Sequence, residues 1–383
     1  MKYERLYAKV KLDAIDHNIE LVRNKINAKT KIMAIVKADA YGHGSVEIAH
    51  HIVNKVDWFG VSNVDEALEL RNNGITKPIL ILGASMPDEF ESIINHDITA
   101  TIFDVERALE LSRVAIKLNK SVNIHIKLDT GMSRIGFSAT EDSVSEIIQI
   151  SKLPRINITG IFSHFAKADE KDKSFAAKQK ECFDWFIAKC AENEIYFKEK
   201  HLSNSAGIID LNCEYDMVRM GIMLYGLMPS DEMINIPDIR PSLELITHIT
   251  HIKDVKCGTG ISYGHTYITD SDKKIATIPV GYADGYPRSL SNIGSVIING
   301  TKCPILGRIC MDQMMIDVTN INCAVGDDVI LLGTSDGLSI TAEDIGNNSY
   351  SFNYEFVCGI SRRVPRVYFD NDNYIKTVSY IVN

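Results

Sequence analysis

The sequence predicts an α/β chain: an N-terminal (β/α)8 TIM-type barrel followed by a C-terminal, mostly-β domain. Three observations carry that expectation. Between residues 30 and 225, short apolar runs alternate with amphipathic segments, and wholly apolar strands mark a parallel sheet covered on both faces. Eight such runs occur, the number that closes a barrel, whereas an open doubly wound sheet usually has fewer. Near "PDIRPSLEL" (237–245) the helical periodicity fades, and strand-like pieces separated by Gly, Asn and Asp turns take over. The expected division is residues 1–240 for the barrel and 241–383 for the β domain, with residues 1–12 pairing with the latter.

In chain order, the barrel strands are "KIMAIVK" (31–37), "VDWFGVSN" (56–63), "PILILG" (78–83), "ITATIF" (98–103), "VNIHIKLD" (122–129), "INITGIFSH" (156–164), "FKEKHLSNS" (197–205) and "MVRMGIMLYG" (217–226). Helical segments lie between them. "DVERALELSRVAIKLNK" opens on Asp104, a good N-cap, with Glu106 in its first turn. Downstream, "ELITHITHIKDV", "KIATIPV", "GSVIING", "QMMIDVT" and "DDVILLG" read as strands of the second domain.

A chain of 383 residues exceeds the usual size of one core, which again implies two domains. The net charge of -9 argues against nucleic acid or an anionic membrane as partner. No apolar run reaches membrane-spanning length, and "MKYERLYAKV" lacks the apolar region of a signal peptide. The eight cysteines include no CxxC pair and read as reduced thiols of a cytoplasmic protein.

In such a barrel the active site lies at the C-terminal ends of the strands. The first strand ends on Lys37 and Tyr41, and the fifth on Lys127, Asp129 and, in its loop, Arg134. The sixth offers His164, the seventh Asn204 and Ser205, and the eighth Arg219 and Gly221. Packing alone does not require such a rim. Taken singly, Lys37 is more often a strand-end lysine reaching solvent, Arg219 a buried structural ion pair and His164 a satisfied core histidine. Together they suit an aldehyde cofactor. A desolvated lysine is nucleophilic enough for a Schiff base, and pyridoxal phosphate (PLP) is the obvious partner. Its phosphate needs backbone N–H groups after strands 7 and 8, where "NSAG" (204–207) and "RMGI" (219–222) stand with Ser205, Gly207 and Gly221. Tyr41 adds a phenol. An arginine facing the ring nitrogen disfavours its protonation and weakens the ring as an electron sink.

Several motif matches mislead. "LDTG" (128–131) occurs once, and aspartic-protease chemistry needs two carboxylates. "GTSDG" (333–337) has no histidine after it, so the Ser–Asp–His order of that fold fails. "GTGISYG" (258–264) lacks the last glycine and the helix of a dinucleotide fingerprint. "HITH" (248–251), read within one strand, aims its histidines at opposite faces, so no metal site is expected.

The chain resembles the alanine racemases over almost its whole length. The resemblance rests on "AIVKADAYGHG", "IHIKLDTGMSRIGF", "VRMGIMLYG", "SYGHTY", "GYADGYPR", "GRICMDQ" and "FNYEFVCGISRRVPR", occurring in that order. It implies a PLP enzyme that interconverts L- and D-alanine and supplies D-alanine for peptidoglycan. Lys37 then resembles the lysine that holds PLP as a Schiff base, and Tyr263 the second base, which in the family reaches the partner subunit's cofactor in a homodimer. Tyr41, Ser205, Gly221, Ile222 and Tyr354 resemble the phosphate-binding set. Arg219 resembles the ring-nitrogen arginine, with His164 supporting it. Arg134 and Met311 resemble the residues that receive the substrate carboxylate. Lys127 matches a position where many members carry a carbamylated lysine, and Tyr282 and Tyr354 match the substrate entrance. A decarboxylase on the same barrel places an acidic residue where Arg219 stands. Small PLP-binding carriers of this barrel type lack a β domain. A racemase of another small amino acid, such as serine, is separated only poorly, since a methylene-sized difference is worth about 1–3 kcal/mol in a pocket.

Overall fold

The computed structural model describes residues 5–382. The chain divides into two compact units. One comprises Asp16–Ala40 and Ser45–Arg240; the other comprises the segment ending at Ile15, the four residues Tyr41–Gly44, and Pro241 onward.

The chain enters through strand β1 (Leu6–Lys11) and helix α1 (Leu12–Lys25). Eight parallel strands follow: β2 (Lys31–Ile35), β3 (Trp58–Val61), β4 (Ile79–Ile81), β5 (Ala100–Ile102), β6 (Val122–Asp129), β7 (Ile156–Phe162), β8 (Glu199–His201) and β9 (Met217–Met220). One ladder runs β9–β2–β3–β4 and another β5–β6–β7–β8. Two seams join them. The Thr99 N–H donates to the Ile79 carbonyl at 2.9 Å beside the Leu80–Thr99 bridge. Asp216 N–H donates to Lys200 O and Arg219 N–H to Ser203 O, both at 3.0 Å. The (β/α)8 barrel is thereby closed, with β3, β4 and β5 buried along their whole length as their apolar sequences require.

Between the strands run α2 (Lys37–Gly42), α3 (Ser45–Ile52), α4 (Val64–Asn72), α5 (Phe90–Asn95), α6 (Val105–Leu118), α7 (Glu141–Ser151), α8 (Ser174–Glu192) and α9 (Ser205–Asp210). The Asp104 carboxylate accepts the Arg107 N–H at 2.8 Å, so the N-cap read from the sequence starts α6, and Asn119 in the left-handed conformation ends it.

The second unit is built on an antiparallel sheet with one parallel pair. Its strands include β10 (Leu243–His248), β11 (His251–Val255), β12 (Lys273–Ile278), β13 (Ser295–Ile298), β14 (Thr301–Leu306), β15 (Met314–Asp317), β16 (Asp328–Ser335), β17 (Arg366–Asp370) and β18 (Asn373–Val378). β1 lies between β10, antiparallel, and β17, parallel. "ELITHITHIKDV", expected as one strand, is two. The Ile249 N–H bonds the Asp327 carbonyl and the Thr250 N–H the Thr277 carbonyl, so the chain leaves its β16 partner and β11 pairs with β12 instead.

Candidate active site

The first barrel strand ends in an uncommon backbone. Helix α2 begins at Lys37, and Ala38, Asp39, Ala40 and Tyr41 have φ of 51, 54, 53 and 52°. It is a turn of left-handed helix, which costs L-residues about 1–2 kcal/mol each. Side chains hold its start: Glu66 accepts from the N–H groups of Ala38 and Ser62 at 2.8 and 2.6 Å, and Asp39 accepts from Ser45 N–H at 2.8 Å. Its exit is held inside the second unit. The buried Arg366 donates to the Gly42 carbonyl and Tyr368 to the His43 carbonyl, each at 2.8 Å. Gly42 has φ of +81°, and a Cβ there would lie 2.1 Å from the Val357 carbonyl oxygen. Nothing in "KADAYG" announces the hand of this helix, because Ala is the best former of the right-handed one.

Further round the barrel, β6 ends in Lys127, Leu128 and Asp129. Asp129 turns its loop by accepting the N–H groups of Gly131, Met132 and Ser133 at 2.8–3.1 Å. Burial works against its charge, but those three bonds outweigh it, and its carboxyl lies below the usual range. Lys127 is 3% exposed and donates to the Leu128 carbonyl at 2.9 Å. Burial first, then the Arg219 and Arg134 cations, push its amine down to about 7, against the pull of Asp129.

Arg219, inside β9, is 3% exposed. Its two terminal nitrogens make five contacts. One donates to Nδ1 and the carbonyl of His201, each at 3.1 Å; the other donates to the carbonyls of Ser163 and Leu202 at 2.8 and 2.9 Å and to Nδ1 of His164 at 3.1 Å. All five acceptors are neutral. Burial lowers this guanidinium to about 9, so it stays a cation at neutral pH. Because a guanidinium only donates, both imidazoles accept at Nδ1 and carry their proton on Nε2. Burial and neighbouring cations, Arg219 foremost, hold both well below the usual histidine range. Phe162 packs among them, stacked on His201 at 4.9 Å, with Arg219 and Lys127 at 5.6 and 5.3 Å from its ring.

After β8 and β9 the backbone amides converge. Asn204 caps α9 by accepting from Gly207 N–H at 3.0 Å. The buried Ser205 hydroxyl accepts from the N–H of Gly221 at 3.1 Å and of Met223 at 3.4 Å. Gly207 and Gly221, read as donors for a phosphate, thus bond side chains, Gly207 that of Asn204 in its own loop and Gly221 that of Ser205 in the loop after β8.

In the second unit the rings of Tyr41 and Tyr354 lie 6.1 Å apart, with Phe352 5.3 Å beyond Tyr354. Tyr263 sits on a 3-10 turn flanked by Ser262, Gly264 and His265 at φ 63, 70 and 44°, and is 68% exposed. Ser262 donates to the Arg308 carbonyl at 2.5 Å, which ties this turn to the 307–313 loop. Tyr263, Cys310 and Met311 line one cleft of about 680 Å³. Tyr282 N–H donates to the Cys310 carbonyl at 3.1 Å, which fixes it beside Met311.

The barrel unit therefore gathers Lys127, His164 and Arg219, with the charges of Lys37 and Arg134 also bearing on His164. The second unit pairs Tyr41 with Tyr354, and Tyr263 with Met311. The description "Alanine racemase, N-terminal domain" matches residues 10–229, and "Alanine racemase, C-terminal domain" matches residues 242–368. The chain belongs to the alanine racemase family. Alanine racemase 2 of Caldanaerobacter subterraneus is 46% identical over 376 residues, 96% of this chain and 97% of that protein. The alanine racemase of Clostridium difficile 630 superposes with a TM-score of 0.95 at 42% identity, covering 98% of this chain and 99% of that one. The Bacillus anthracis alanine racemase with bound L-Ala-P gives a TM-score of 0.93 at 35% identity, covering all of this chain and 99% of that one.

Sequence reasoning missed several supports of this racemase-family site. Gln179 of α8, fully buried, donates to Thr130 and to the His164 carbonyl at 3.1 and 3.0 Å and accepts from Ala166 N–H at 2.9 Å. Its neighbours in "AAKQKEC" are unremarkable, and only burial at a helix position that faces the barrel marks it. His201 was hidden in a short strand whose register sets it beside Arg219.

Proposed function

We propose that this chain is a PLP-dependent alanine racemase, an isomerase that interconverts L- and D-alanine with two bases on opposite faces of the substrate. The observation that carries the reading is Arg219: a buried cation clamped by five neutral acceptors, whose Nε is the donor left uncommitted among the described residues. The donor set fits PLP. Lys37 offers a primary amine, Arg219 a fixed Nε–H for a pyridine nitrogen, and the Ser205 hydroxyl with the Ile222 amide offers donors for a phosphate, the Gly221 and Met223 amides holding that hydroxyl in place and Tyr41 and Tyr354 adding phenols. Bound PLP would supply an electrophilic carbon and a conjugated ring that takes up the electrons left when Cα loses its proton.

The chain's own residues do the rest. Arg219 keeps its positive charge where a ring proton would otherwise sit, which limits charge build-up and suppresses side reactions. His164, held neutral with Nδ1 accepting, fixes the guanidinium plane. Lys37 moves the Cα proton of the D-enantiomer and Tyr263 that of the L-enantiomer, each returning a proton to the face the other has left. Tyr263 acts from a second copy of the chain. Its exposure on a 3-10 turn supports a homodimer in which each site draws on both chains. Residues 1–240 carry the cofactor, and residues 241–383 carry the second base. Arg134 and Met311 receive the substrate carboxylate, and Tyr282 and Tyr354 line its entrance.

Lys127 is read as a carbamate. An amine pushed down to about 7 between two arginines is neutral enough to attack carbon dioxide, forming a C–N bond and releasing a proton. The resulting anion would stand between Arg219 and Arg134. Among the described residues no helix is long and apolar enough to cross a membrane. Our reading places the enzyme in the cytoplasm, supplying D-alanine for peptidoglycan.

The test is incubation of the protein and PLP with L-alanine in D2O. D-alanine deuterated at Cα is the expected product, with L-serine as the competing substrate. Bound PLP without exchange or D-alanine would overturn the reading in favour of a carrier.

A further inference from the structure

The interior of the barrel holds two buried polar atoms that lack hydrogen-bond partners among the described residues and do not belong to the rim: Nε2 of His125 and Oε2 of Glu199. They share one layer. His125 on β6 pairs in register with Gly160 on β7, and Gly160 with Glu199 on β8. Side chains at matched positions of parallel strands point to the same face. Gly160 leaves the space open. A Cβ there would lie 2.7 Å from Nε2 and Cε1 of His125 and 2.7 Å from the Glu199 carbonyl oxygen, so the imidazole occupies the room a side chain would take.

The protons can be followed from the rim. Arg219 donates to His201 Nδ1, so His201 carries its proton on Nε2, which lies 3.0 Å from Nδ1 of His125. Nδ1 of His125 must accept, and its own proton is on Nε2, the atom without a partner. His125 is fully buried beside Trp58, ring centroids 5.2 Å apart. Below it, Glu199 is 2% exposed and uses Oε1 for an ion pair with Lys31, which lines a cleft at the opposite end of the barrel. An unpaired buried donor and an unpaired buried carboxylate oxygen in one layer are each costly, and a single water in reach of both would satisfy them.

We propose that a buried water joins His125 Nε2–H to Glu199, completing a polar chain from Arg219 through His201 and His125 to Glu199 and Lys31, and that His125 and Glu199 are positioning residues for Arg219. The chain gives the clamped guanidinium a distant carboxylate counter-charge through two neutral imidazoles, and it fixes the guanidinium's orientation from below. The positioning role rests on the reading that Arg219 serves the ring nitrogen of PLP.

The experiment labels the imidazole nitrogens of the protein, with and without PLP, and reads tautomers by 15N resonance, assigned with His125→Gln and His201→Gln. His125 and His201 are both expected neutral with the proton on Nε2 from about pH 5 to 8. Glu199→Gln is expected to shift the His125 Nε2–H signal and, through it, those of His201 and the Arg219 guanidinium. In the reconstituted enzyme the same variant is expected to lower kcat about tenfold, the low end for partners that orient a site-forming group, with KM for alanine unchanged. A protonated His125, an Nδ1–H tautomer, or a Glu199→Gln spectrum identical to the wild type overturns the chain. Should Glu199→Gln fail to fold, the wild-type tautomers and a wild-type crystal structure decide, through a water within hydrogen-bond reach of both atoms or its absence. An intact spectroscopic chain with unchanged kcat overturns the positioning role alone. Failure of the wild type to bind PLP overturns the cofactor reading and that role with it, while the tautomers still test the chain.

Discussion

Lys37 and Tyr263, the two proposed bases, both stand next to left-handed backbone, yet their surroundings are opposites. Lys37 opens a turn of four non-glycine residues with φ near +52°, tied down by Glu66, Asp39 and, past its end, Arg366 and Tyr368. Tyr263 rides a short 3-10 turn between Ser262 and Gly264, 68% exposed, beside a cleft of its own unit. Both positions spend conformational energy to aim one side chain. The first stands among the cations of its own barrel unit, its charge bearing on His164 together with those of Arg219, Arg134 and Lys127. The second leaves its side chain exposed, as the proposed role in a second copy's site requires. Stored strain at a functional position persists only where neighbours over-determine it. For Tyr263 the bonds of Ser262 to the 307–313 loop do this while leaving the phenol exposed.

The largest effect should break the comparison directly. Lys37→Ala and Tyr263→Phe should each lower racemisation by about 10²–10⁴-fold. Mixing the two dead variants should restore about a quarter of wild-type activity, because half the dimers are then mixed and one of the two sites in each keeps both bases. No recovery in the D-alanine assay would show that both bases come from one chain.

Next is the strained turn. Gly42→Ala forces a Cβ onto the Val357 carbonyl at a φ of +81°. It should destabilise the fold by more than about 2 kcal/mol, measured by urea unfolding, whereas Gly258→Ala at φ +81° with open space around it should cost only the backbone term, about 1 kcal/mol.

Lys127 sharpens the electrostatic side. Its folded amine lies at about 7, below the 10.5 of the free side chain. Between those values the unfolded chain binds a proton that the folded one does not, so stability should rise with pH by about 1.4 kcal/mol per unit. Below about pH 7 that gain is absent. In carbon-dioxide-free buffer, Tm should therefore increase from pH 6.5 to 8.5, and Lys127→Met should flatten the rise. The smallest effect lies far from either base: Asp104→Ala removes the cap of α6 and should cost about 1 kcal/mol with racemisation unchanged.

The barrel was legible because its strands are buried on both faces and so read as apolar runs, and the α6 cap because Asp104 does a local job with a local partner, whereas Asn204, read as a rim residue, proves to cap α9. Strand ends told where Lys37, Lys127, His164 and Arg219 would gather. Register was not legible. That His201 meets Arg219, and that His125, Gly160 and Glu199 share a layer, depends on how three separate strands slide against one another. The break at Ile249–Thr250 escaped for the same reason, since it is made by carbonyls of Asp327 and Thr277. The hand of α2 was invisible because Ala, Asp and Tyr carry no sign of it. Tyr263 stood out through family resemblance, its Gly-rich segment being otherwise ordinary.

One feature of the sheet bears on how the molecule is made. β1 is clasped between β10 and β17, whose paired residues lie about 240 and 360 positions further along the chain. At about 5–20 residues per second of synthesis, β1 leaves the ribosome roughly 20–70 seconds before its parallel partner. The residues Asp16–Arg240 that build the barrel all emerge within that interval. An alternating, half-apolar strand with both edges open is what holdase chaperones and stray β-edges recognise. The strand therefore waits for its parallel partner through most of the synthesis of the described residues, and Lys9 and Lys11, alternating with its buried Ala8 and Val10, put on it the charge that discourages edge-to-edge pairing.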